Sequence, residues 1–303
     1  MNAQILVLLV LAGFTLSTRV SGHPGSGIVV DSRGVFFQDS AARTIWHLDP
    51  QGKLSVFYDK MGGHWMTLDT RGQFARSSLK LVERITPAGI SPALIVADGG
   101  APITVNSDGN LYYGLNVSDT GKVSVGMTKI SPDGKQVRFA PDLAGAIERL
   151  GITGLASSQD GTLYVACLTG VMKVKTNGTF TTLVNPVVVK DCDQDAPTPF
   201  LRGLDVDSNG IVYAAATGCR CVVKISADGT VGPVLKAERP WSPTGVAVRD
   251  GDVFVLEYTN ANGALSEGWL PRVRKVARNG QVTTLVTISE EQQRQQPNRH
   301  TIR

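Results

Sequence analysis

Three ionisable side chains, widely separated along the chain, are the residues best suited to act together on a small molecule. Glu257 follows the apolar stretch 253–256, and a carboxyl group in apolar surroundings can have a raised pKa and act as an acid or base. His64 could share that role, and Arg202 could bind a carboxylate or phosphate through its forked N–H donors. We therefore predict Glu257 and His64 as catalytic candidates and Arg202 as a ligand-binding residue.

Each of these assignments has a structural alternative. Glu257 would serve only the fold if it paired with a neighbouring arginine or capped the loop that follows it. Arg202 would do the same if it met one of the acids of the preceding linker, which are Asp191, Asp193 and Asp195. The aromatic residues closest to these positions are predicted to contact the ligand, and they are Trp65, Tyr258 and Trp269.

For these residues to meet, the chain must bring distant segments together, and an internal repeat indicates how. A short apolar strand, a polar turn closed by glycine and a second apolar strand recur six times. The copies are GIVVDSRGVFFQD, WMTLDTRGQFARS, PITVNSDGNLYYG, GLASSQDGTLYVAC, GLDVDSNGIVYAAA and GVAVRDGDVFVLE. In five of the six units, a third strand then places Lys or Arg five residues before another glycine, as in CVVKISADG.

Four short strands per unit, repeated at a spacing of roughly forty residues, are typical of propeller blades. We predict an all-β fold, a six-bladed β-propeller of four-stranded antiparallel blades, over residues 23–288. The blades are predicted at residues 26–58, 64–97, 101–141, 153–184, 202–236 and 244–287.

The repeated units resemble the NHL repeat and the related gluconolactonase-like, senescence-marker-type propellers. The matching segments are GIVVDSRG, GTLYVAC, GLDVDSNGIVYA and the [VI]-x-K-[IV]-x-x-x-G strand, within about residues 24 to 287. The resemblance implies that the first strand of each blade lines a central channel, and that the residue before it lies at the mouth where ligands bind. These residues are Ser26, His64, Ala101, Thr153, Arg202 and Thr244.

The gluconolactonase-like enzymes hold a divalent cation at this mouth with a ring of Glu, Asn and Asp. This chain has Ser26, Arg202 and Thr244 where such residues would be expected. A divalent cation requires several oxygen ligands, and an arginine at the rim would repel it. We therefore predict no metal site and no cofactor, with a divalent cation left open as an alternative.

Four cysteines are expected on the mouth side of two neighbouring blades, and they are Cys167, Cys192, Cys219 and Cys221. An even number of cysteines in an exported chain indicates disulfides. A bond between Cys219 and Cys221 would close a strained ring, so both are expected to bond outward to Cys167 and Cys192, in a pairing that stays open. A zinc site built from the four thiolates is the alternative.

The two ends of the chain and its charge limit the possible partners. Residues 1–22 contain an apolar run followed by small polar residues, which is typical of a secretory signal peptide and predicts a secreted or periplasmic protein. No other stretch is long and apolar enough to span a membrane. The net charge is only +4, and no long basic run occurs, which argues against nucleic-acid binding. Residues 289–303 are polar and are predicted to be disordered.

The function predicted from these features is binding of a small anionic or oxygen-rich ligand at the channel mouth of an exported, monomeric propeller. Because one fold hosts many activities, whether the chain is an enzyme stays open. One alternative is a hydrolase or lyase of the lactone or ester type that uses Glu257, His64 and Arg202. The other is a platform that binds a second extracellular protein.

Overall fold

The computed structural model of the chain describes residues 24–59, 63–69, 82–85, 93–98, 101–117, 123–147, 151–190, 192, 198–259 and 269–295. Within these ranges the regular structure is almost entirely β-strand, as predicted. The predicted signal peptide and the loop 260–268 lie outside the described residues. No helix in the described ranges is long and apolar enough to cross a membrane.

Five sheets are antiparallel blades of four strands, each built from one continuous part of the chain. We number them by the repeat unit that forms them. Blade 1 contains β1 (Ile28–Asp31), β2 (Gly34–Asp39), β3 (Thr44–Leu48) and β4 (Leu54–Tyr58). Blade 3 contains β8 (Ile103–Val105), β9 (Leu111–Val117), β10 (Val123–Ile130) and β11 (Gln136–Phe139), and is followed by the helix α1 (Leu143–Ile147).

The last three blades follow the same pattern. Blade 4 contains β12 (Gly154–Ser157), β13 (Leu163–Ala166), β14 (Val171–Val174) and β15 (Phe180–Val184). Blade 5 contains β16 (Leu201–Val206), β17 (Val212–Ala216), β18 (Cys221–Ile225) and β19 (Val231–Lys236). Blade 6 contains β20 (Trp241–Arg249), β21 (Asp252–Thr259), β22 (Pro271–Val276) and β23 (Val282–Thr287).

The second repeat unit departs from the prediction. Its described strands, β5 (Gly63–Asp69), β6 (Val82–Ile85) and β7 (Ala93–Asp98), form a three-stranded sheet in the order β5-β7-β6, which we call sheet 2. The prediction of six four-stranded blades is therefore wrong in number, because the described residues form five. The edge of β5 that was expected to pair with QFARS pairs with β7 instead, and the Leu94, Ile95 and Val96 side chains of β7 are at most 1% exposed.

The blades and sheet 2 close into a ring whose core lies between neighbouring sheets. Blades 5 and 6, for example, bury Tyr213 and Val222 against Val246 and Val255. At the hub, the first strands approach so closely that a side chain would clash with backbone at the first repeat residue of blades 4, 5 and 6, which is Gly154, Gly203 and Gly245. A Cβ on Gly154 would lie 2.1 Å from the Arg202 carbonyl oxygen, and one on Gly245 would lie 2.4 Å from the Ser26 carbonyl oxygen.

The polar turns of the repeat are fixed by their own side chains. In blade 5, Asp207 accepts hydrogen bonds from the backbone N–H groups of Asn209 (2.9 Å) and Ile211 (2.9 Å). Gly210 completes this turn with a φ of 77°, a conformation that glycine adopts without steric cost. The D-x-x-G pattern therefore forms a tight turn at the end of the hub strand.

The end of the chain is ordered further than predicted. Residues Glu290–Arg294 form the helix α2, although 289–303 was predicted to be disordered. Ser289 caps this helix and Gln292 completes the capping box, a local signal that the polar composition obscured. Gln293 is buried and donates to the Asp39 carboxylate of blade 1, so α2 connects the end of the chain to its first blade. Residues 296–303 lie outside the described part.

A carboxylate also connects blades 5 and 6 along the hub. The half-buried Asp205 accepts hydrogen bonds from the N–H groups of Val248 (2.6 Å) and Val206 (2.8 Å). Burial raises its pKa to about 6, although both hydrogen bonds act in the opposite direction. Because β20 is the innermost strand of its blade, Asp205 supplies an acceptor for an N–H that has no neighbouring strand on that edge.

Asp205 is expected to make stability depend on pH. The folded protein holds this proton more tightly than the unfolded chain, so the contribution is fully present below about pH 4 and is lost as pH rises through about 6. The shift corresponds to at most about 3 kcal/mol. Urea unfolding of wild type and Asp205→Asn should give stability differences that change between about pH 5 and about pH 7.5. A constant difference would contradict this assignment.

Candidate functional site

Arg202 is the second residue of β16, the hub strand of blade 5, at the end where the resemblance predicts the mouth. Its side chain is almost buried (6% exposed), and its Nη2 donates to the Pro24 carbonyl oxygen at 2.9 Å. Burial lowers the pKa of the guanidinium to about 10, and the nearby Tyr258 acts in the opposite direction. The predicted alternative partners Asp191, Asp193 and Asp195 lie outside the described residues.

Residues 24–26 join several blades at this mouth. The N–H of Ser26 donates to the carbonyl oxygen of His64 at 2.8 Å, and Thr244 Oγ1 donates to the Gly25 carbonyl oxygen at 2.7 Å. His64 is half-buried. Arg202, His64 and Thr244, which the repeat predicted to stand at the mouth, are therefore connected to one short segment by hydrogen bonds. For His64 this contact is made by the main-chain carbonyl group.

Glu257 belongs to an ion-pair cluster between blades 5 and 6. Its side chain is 0% exposed, Arg272 Nε donates to its Oε2, and Arg274 Nε lies 3.4 Å from the same oxygen. Both arginines also reach Glu238, with Nη1–oxygen distances of 2.6 and 3.1 Å. The Arg272 guanidinium lies 4.2 Å from the centre of the Trp241 ring. The alternative in which Glu257 pairs with a neighbouring arginine is what the structure shows.

The pKa values of the two carboxylates in this cluster shift in opposite directions. Desolvation raises the pKa of Glu257, and Arg272 and Arg274 only partly offset that effect. The pKa of Glu238, which is more than half exposed, is lowered to about 2, chiefly by its hydrogen bond from Arg272. Glu257 therefore has the raised pKa that an acid or base would use, but its carboxylate is held by arginines.

Two of the three predicted ligand-contacting aromatics pack between blades 6 and 1. Tyr258 is fully buried, donates through its hydroxyl to the Gln38 carbonyl oxygen, and accepts a hydrogen bond from the Ser40 N–H at 3.4 Å. Burial raises the pKa of this hydroxyl. Trp269 is 8% exposed and packs in the same core. Both side chains stabilise the closure of the ring.

Trp65, the third predicted aromatic, packs between sheet 2 and blade 3. It is 6% exposed and lies in a core that includes Ile95 and Tyr113. Its carbonyl oxygen accepts a long hydrogen bond (3.5 Å) from Gln38 Nε2, which connects sheet 2 to blade 1. Its observed contacts are therefore those of a core residue.

The mouth side of blades 5 and 6 carries more cations than carboxylates among the described residues. We call the five cations Arg202, Arg220, Lys236, Arg272 and Arg274 the cationic patch; the two carboxylates beside them are Glu238 and Glu257. Main-chain carbonyls orient the cations further: Lys236 Nζ lies 2.9 Å from the Cys219 carbonyl oxygen and Arg220 Nη1 lies 3.3 Å from that of Trp241. Among the described residues the cations of this surface therefore outnumber the carboxylates, and fixed positive charge attracts anions.

Arg220 and Arg272 were missed by the sequence analysis. Arg272 is directly opposite Glu257 in the pairing of β21 with β22, and the alternation of the two strands could have indicated that contact. Arg220 adopts a left-handed conformation (φ 51°) in the turn between β17 and β18, and no local pattern indicates it.

One disulfide joins Cys192 to Cys219, with a Cα–Cα distance of 4.6 Å. It tethers the linker between blades 4 and 5 to the turn that contains Arg220, so one of the two expected outward bonds is present. The second expected disulfide is absent at Cys167. This buried residue is a thiol that donates to the Gly170 carbonyl oxygen at 3.4 Å. Cys221 lies outside the disulfide and packs in the core of blades 4 and 5.

The metal site that the resemblance implies does not fit the residues at this mouth. Ser26, Arg202 and Thr244 occupy the positions of the expected oxygen ligands, and the Arg202 guanidinium lies buried among them. In the described ranges, no three His, Cys, Asp or Glu residues are grouped in a way that could hold a metal ion. No step of a reaction is therefore assigned to a metal.

The fold is that of a β-propeller, and comparison with solved structures gives the same architecture. No protein-family model and no curated protein sequence matches the chain. Its structure is similar to that of a luciferin-regenerating enzyme, with 18% identity, 83% of this chain and 91% of the other covered, and a TM-score of 0.54. It is also similar to a gluconolactonase from Xanthomonas campestris, with 14% identity, 78% and 83% covered, and a TM-score of 0.53.

At these identities the likeness establishes the architecture. The chain has the fold of the gluconolactonase-like β-propellers, which confirms that part of the predicted resemblance, whereas the NHL repeat stays a prediction.

Proposed function

We propose that this propeller binds a small anionic or oxygen-rich molecule at its mouth, with Arg202 as the main charge partner. The observation that carries the proposal is the cationic patch, whose five cations lie at the same ends of the strands of blades 5 and 6, with Arg272 and Arg274 paired to Glu238 and Glu257. Arg202 lies closest to the hub in this group, because it begins the innermost strand of blade 5. A guanidinium fork in a water-poor site binds carboxylate or phosphate strongly.

A pair of ligands matched in size tests the proposal. Gluconate and glucose differ mainly in charge, and we expect gluconate or inorganic phosphate to bind and to raise the melting temperature, whereas glucose has little effect. Arg202→Gln is expected to weaken anion binding about tenfold or more, and Arg202→Lys less, because lysine keeps the charge but loses the fork. Isothermal titration calorimetry measures each affinity.

Arg249→Gln is the matched control. Arg249 is also an arginine of a hub strand, but it ends β20 on the opposite side and pairs with the exposed Asp250 at 3.2 Å. It should leave anion affinity unchanged. Equal losses in the Arg202 and Arg249 variants, or equal binding of gluconate and glucose by the wild type, would refute a specific anion site.

The alternative that the protein is a hydrolase is tested with the purified wild-type protein and two further variants. The two similar structures are those of a gluconolactonase and a luciferin-regenerating enzyme, and Glu257 has the raised pKa of a possible acid or base. Lactone hydrolysis that disappears in Glu257→Gln and His64→Ala, in folded variants, would favour an enzyme over a binding protein. Hydrolysis that persists in both variants would exclude these residues as its catalysts.

We also propose that the protein is exported and acts as a monomer on a small molecule or another extracellular protein. The Cys192–Cys219 disulfide supports export, since such bonds persist mainly in oxidising compartments. The apolar segment within residues 1–22 supports it independently.

A further inference from the structure

Phe200 has two features that packing does not require. Among the exposed large hydrophobic residues of the described chain it alone carries an aromatic ring, and it is 40% exposed. Its φ is 45°, in the left-handed region that bulky residues rarely adopt. Strained backbone of this kind is energetically costly and occurs frequently at binding sites.

The surrounding backbone holds Phe200 in this conformation. The N–H of Thr217 donates to the Phe200 carbonyl oxygen at 3.2 Å, and the N–H of Gly218 donates to that of Pro199 at 3.0 Å. The N–H of Leu201 donates to the Leu168 carbonyl oxygen at 3.0 Å. Blades 4 and 5 therefore fix both sides of the residue, so its ring is presented from a rigid support.

The ring lies beside the charge partner of the proposed function. Phe200 comes directly before β16, and Arg202 is the second residue of that strand. The guanidinium carbon of Arg202 lies 5.9 Å from the centre of the Phe200 ring. An exposed apolar surface and a cation thus lie side by side at the mouth.

We propose that Phe200 and Arg202 together bind an aromatic carboxylate, whose ring stacks on Phe200 while its carboxylate is bound by Arg202. This proposal rests on the proposed function of anion binding at Arg202, and it specifies the class of ligand. A small inorganic anion would leave the Phe200 ring in water, and a neutral aromatic molecule would take water from Arg202 without supplying a negative charge. A ligand with both parts would contact both side chains at once, and aromatic stacking strengthens binding beyond the effect of area burial.

The test compares three probes, benzoate, acetate and benzyl alcohol, by ligand-detected NMR titration. Wild type is expected to bind benzoate at least about tenfold more tightly than either of the others, since only benzoate uses both contacts. Phe200→Gly is expected to reduce benzoate affinity to that of acetate and to leave acetate unchanged. Glycine adopts a positive φ without strain, so the melting temperature of this variant should not fall.

Val282→Gly is the control, because Val282 is similarly exposed (44%) but lies in the outer strand of blade 6. It should leave benzoate binding unchanged. If benzoate binds Phe200→Gly as well as wild type, or wild type binds acetate as well as benzoate, the aromatic site is wrong while anion binding at Arg202 stands. If wild type binds neither benzoate nor acetate, nor the gluconate and phosphate tested above, the proposed function itself fails.

Discussion

Replacing Arg272 by alanine is expected to lower the free energy of unfolding by about 3–5 kcal/mol, because removing one partner of a buried ion pair leaves an uncompensated charge. Glu257 is 0% exposed, and after the substitution Arg274, at 3.4 Å, would be its remaining observed arginine contact. Arg272 also covers the Trp241 ring, so its removal exposes apolar surface as well. Urea unfolding of the two proteins measures the difference.

The pH dependence and a second substitution identify the cause of that loss. Burial already raises the pKa of Glu257, and losing Arg272 raises it further. The loss should therefore be smaller at about pH 5 than at about pH 8, because protonation removes the buried charge. For the same reason, Arg272→Ala combined with Glu257→Gln should be more stable at neutral pH than Arg272→Ala alone.

The exposed pair Arg249–Asp250 provides the control for the Arg272 experiment. Its side chains are 35% and 81% exposed, and Arg249→Ala should lower stability by less than about 1 kcal/mol. If Arg272→Ala caused a loss as small as that, or if the double variant were no more stable than the single one, Glu257 would not be a buried charge held by Arg272.

The strands of five blades could be predicted because their signals are local. Alternation of apolar and polar residues, turn aspartates such as Asp207 and turn glycines such as Gly210 act within one hairpin. The arrangement of sheet 2 could not be predicted in this way. Two segments, QFARS and the apolar core of β7, are both candidates for the same edge of β5, and the outcome depends on burial against blades 1 and 3.

Only those residues of the candidate site that occupy a fixed position in the repeat could be predicted from the sequence. The first-strand positions of Arg202 and His64 follow from counting residues within the unit. The roles of the aromatic residues do not follow from such counting. A blade is buried on both faces, so an aromatic residue next to the mouth fits either the core or a ligand site. Tyr258 and Trp269 pack in the core, whereas Phe200 is exposed through a left-handed turn that no sequence pattern indicates.

The closure of the ring depends on side chains, because among the described residues each four-stranded blade is built from one continuous segment and no strand is shared between blades 6 and 1. The Asp39 carboxylate is the centre of one such contact. Asp39 is 1% exposed and accepts hydrogen bonds from the Ala42 N–H (3.0 Å) and Trp46 Nε1 (3.4 Å). Gln293 Nε2 lies 3.0 and 2.9 Å from its two oxygens and 2.9 Å from the Trp269 carbonyl oxygen.

Gln293→Ala is therefore expected to lower the free energy of unfolding by about 2–3 kcal/mol, since a buried carboxylate loses a hydrogen-bond donor. Gln293→Glu should cost more at neutral pH, because it places a second carboxylate against Asp39, and its excess loss should shrink as pH falls. Gln295, whose exposed side chain bonds only to Glu291 on the helix surface, is the control; Gln295→Ala should change stability by less than about 0.5 kcal/mol. Equal effects of the Gln293→Ala and Gln295→Ala substitutions in urea unfolding would show that α2 does not hold the ring closed, and truncation after residue 288 would then leave stability unchanged as well.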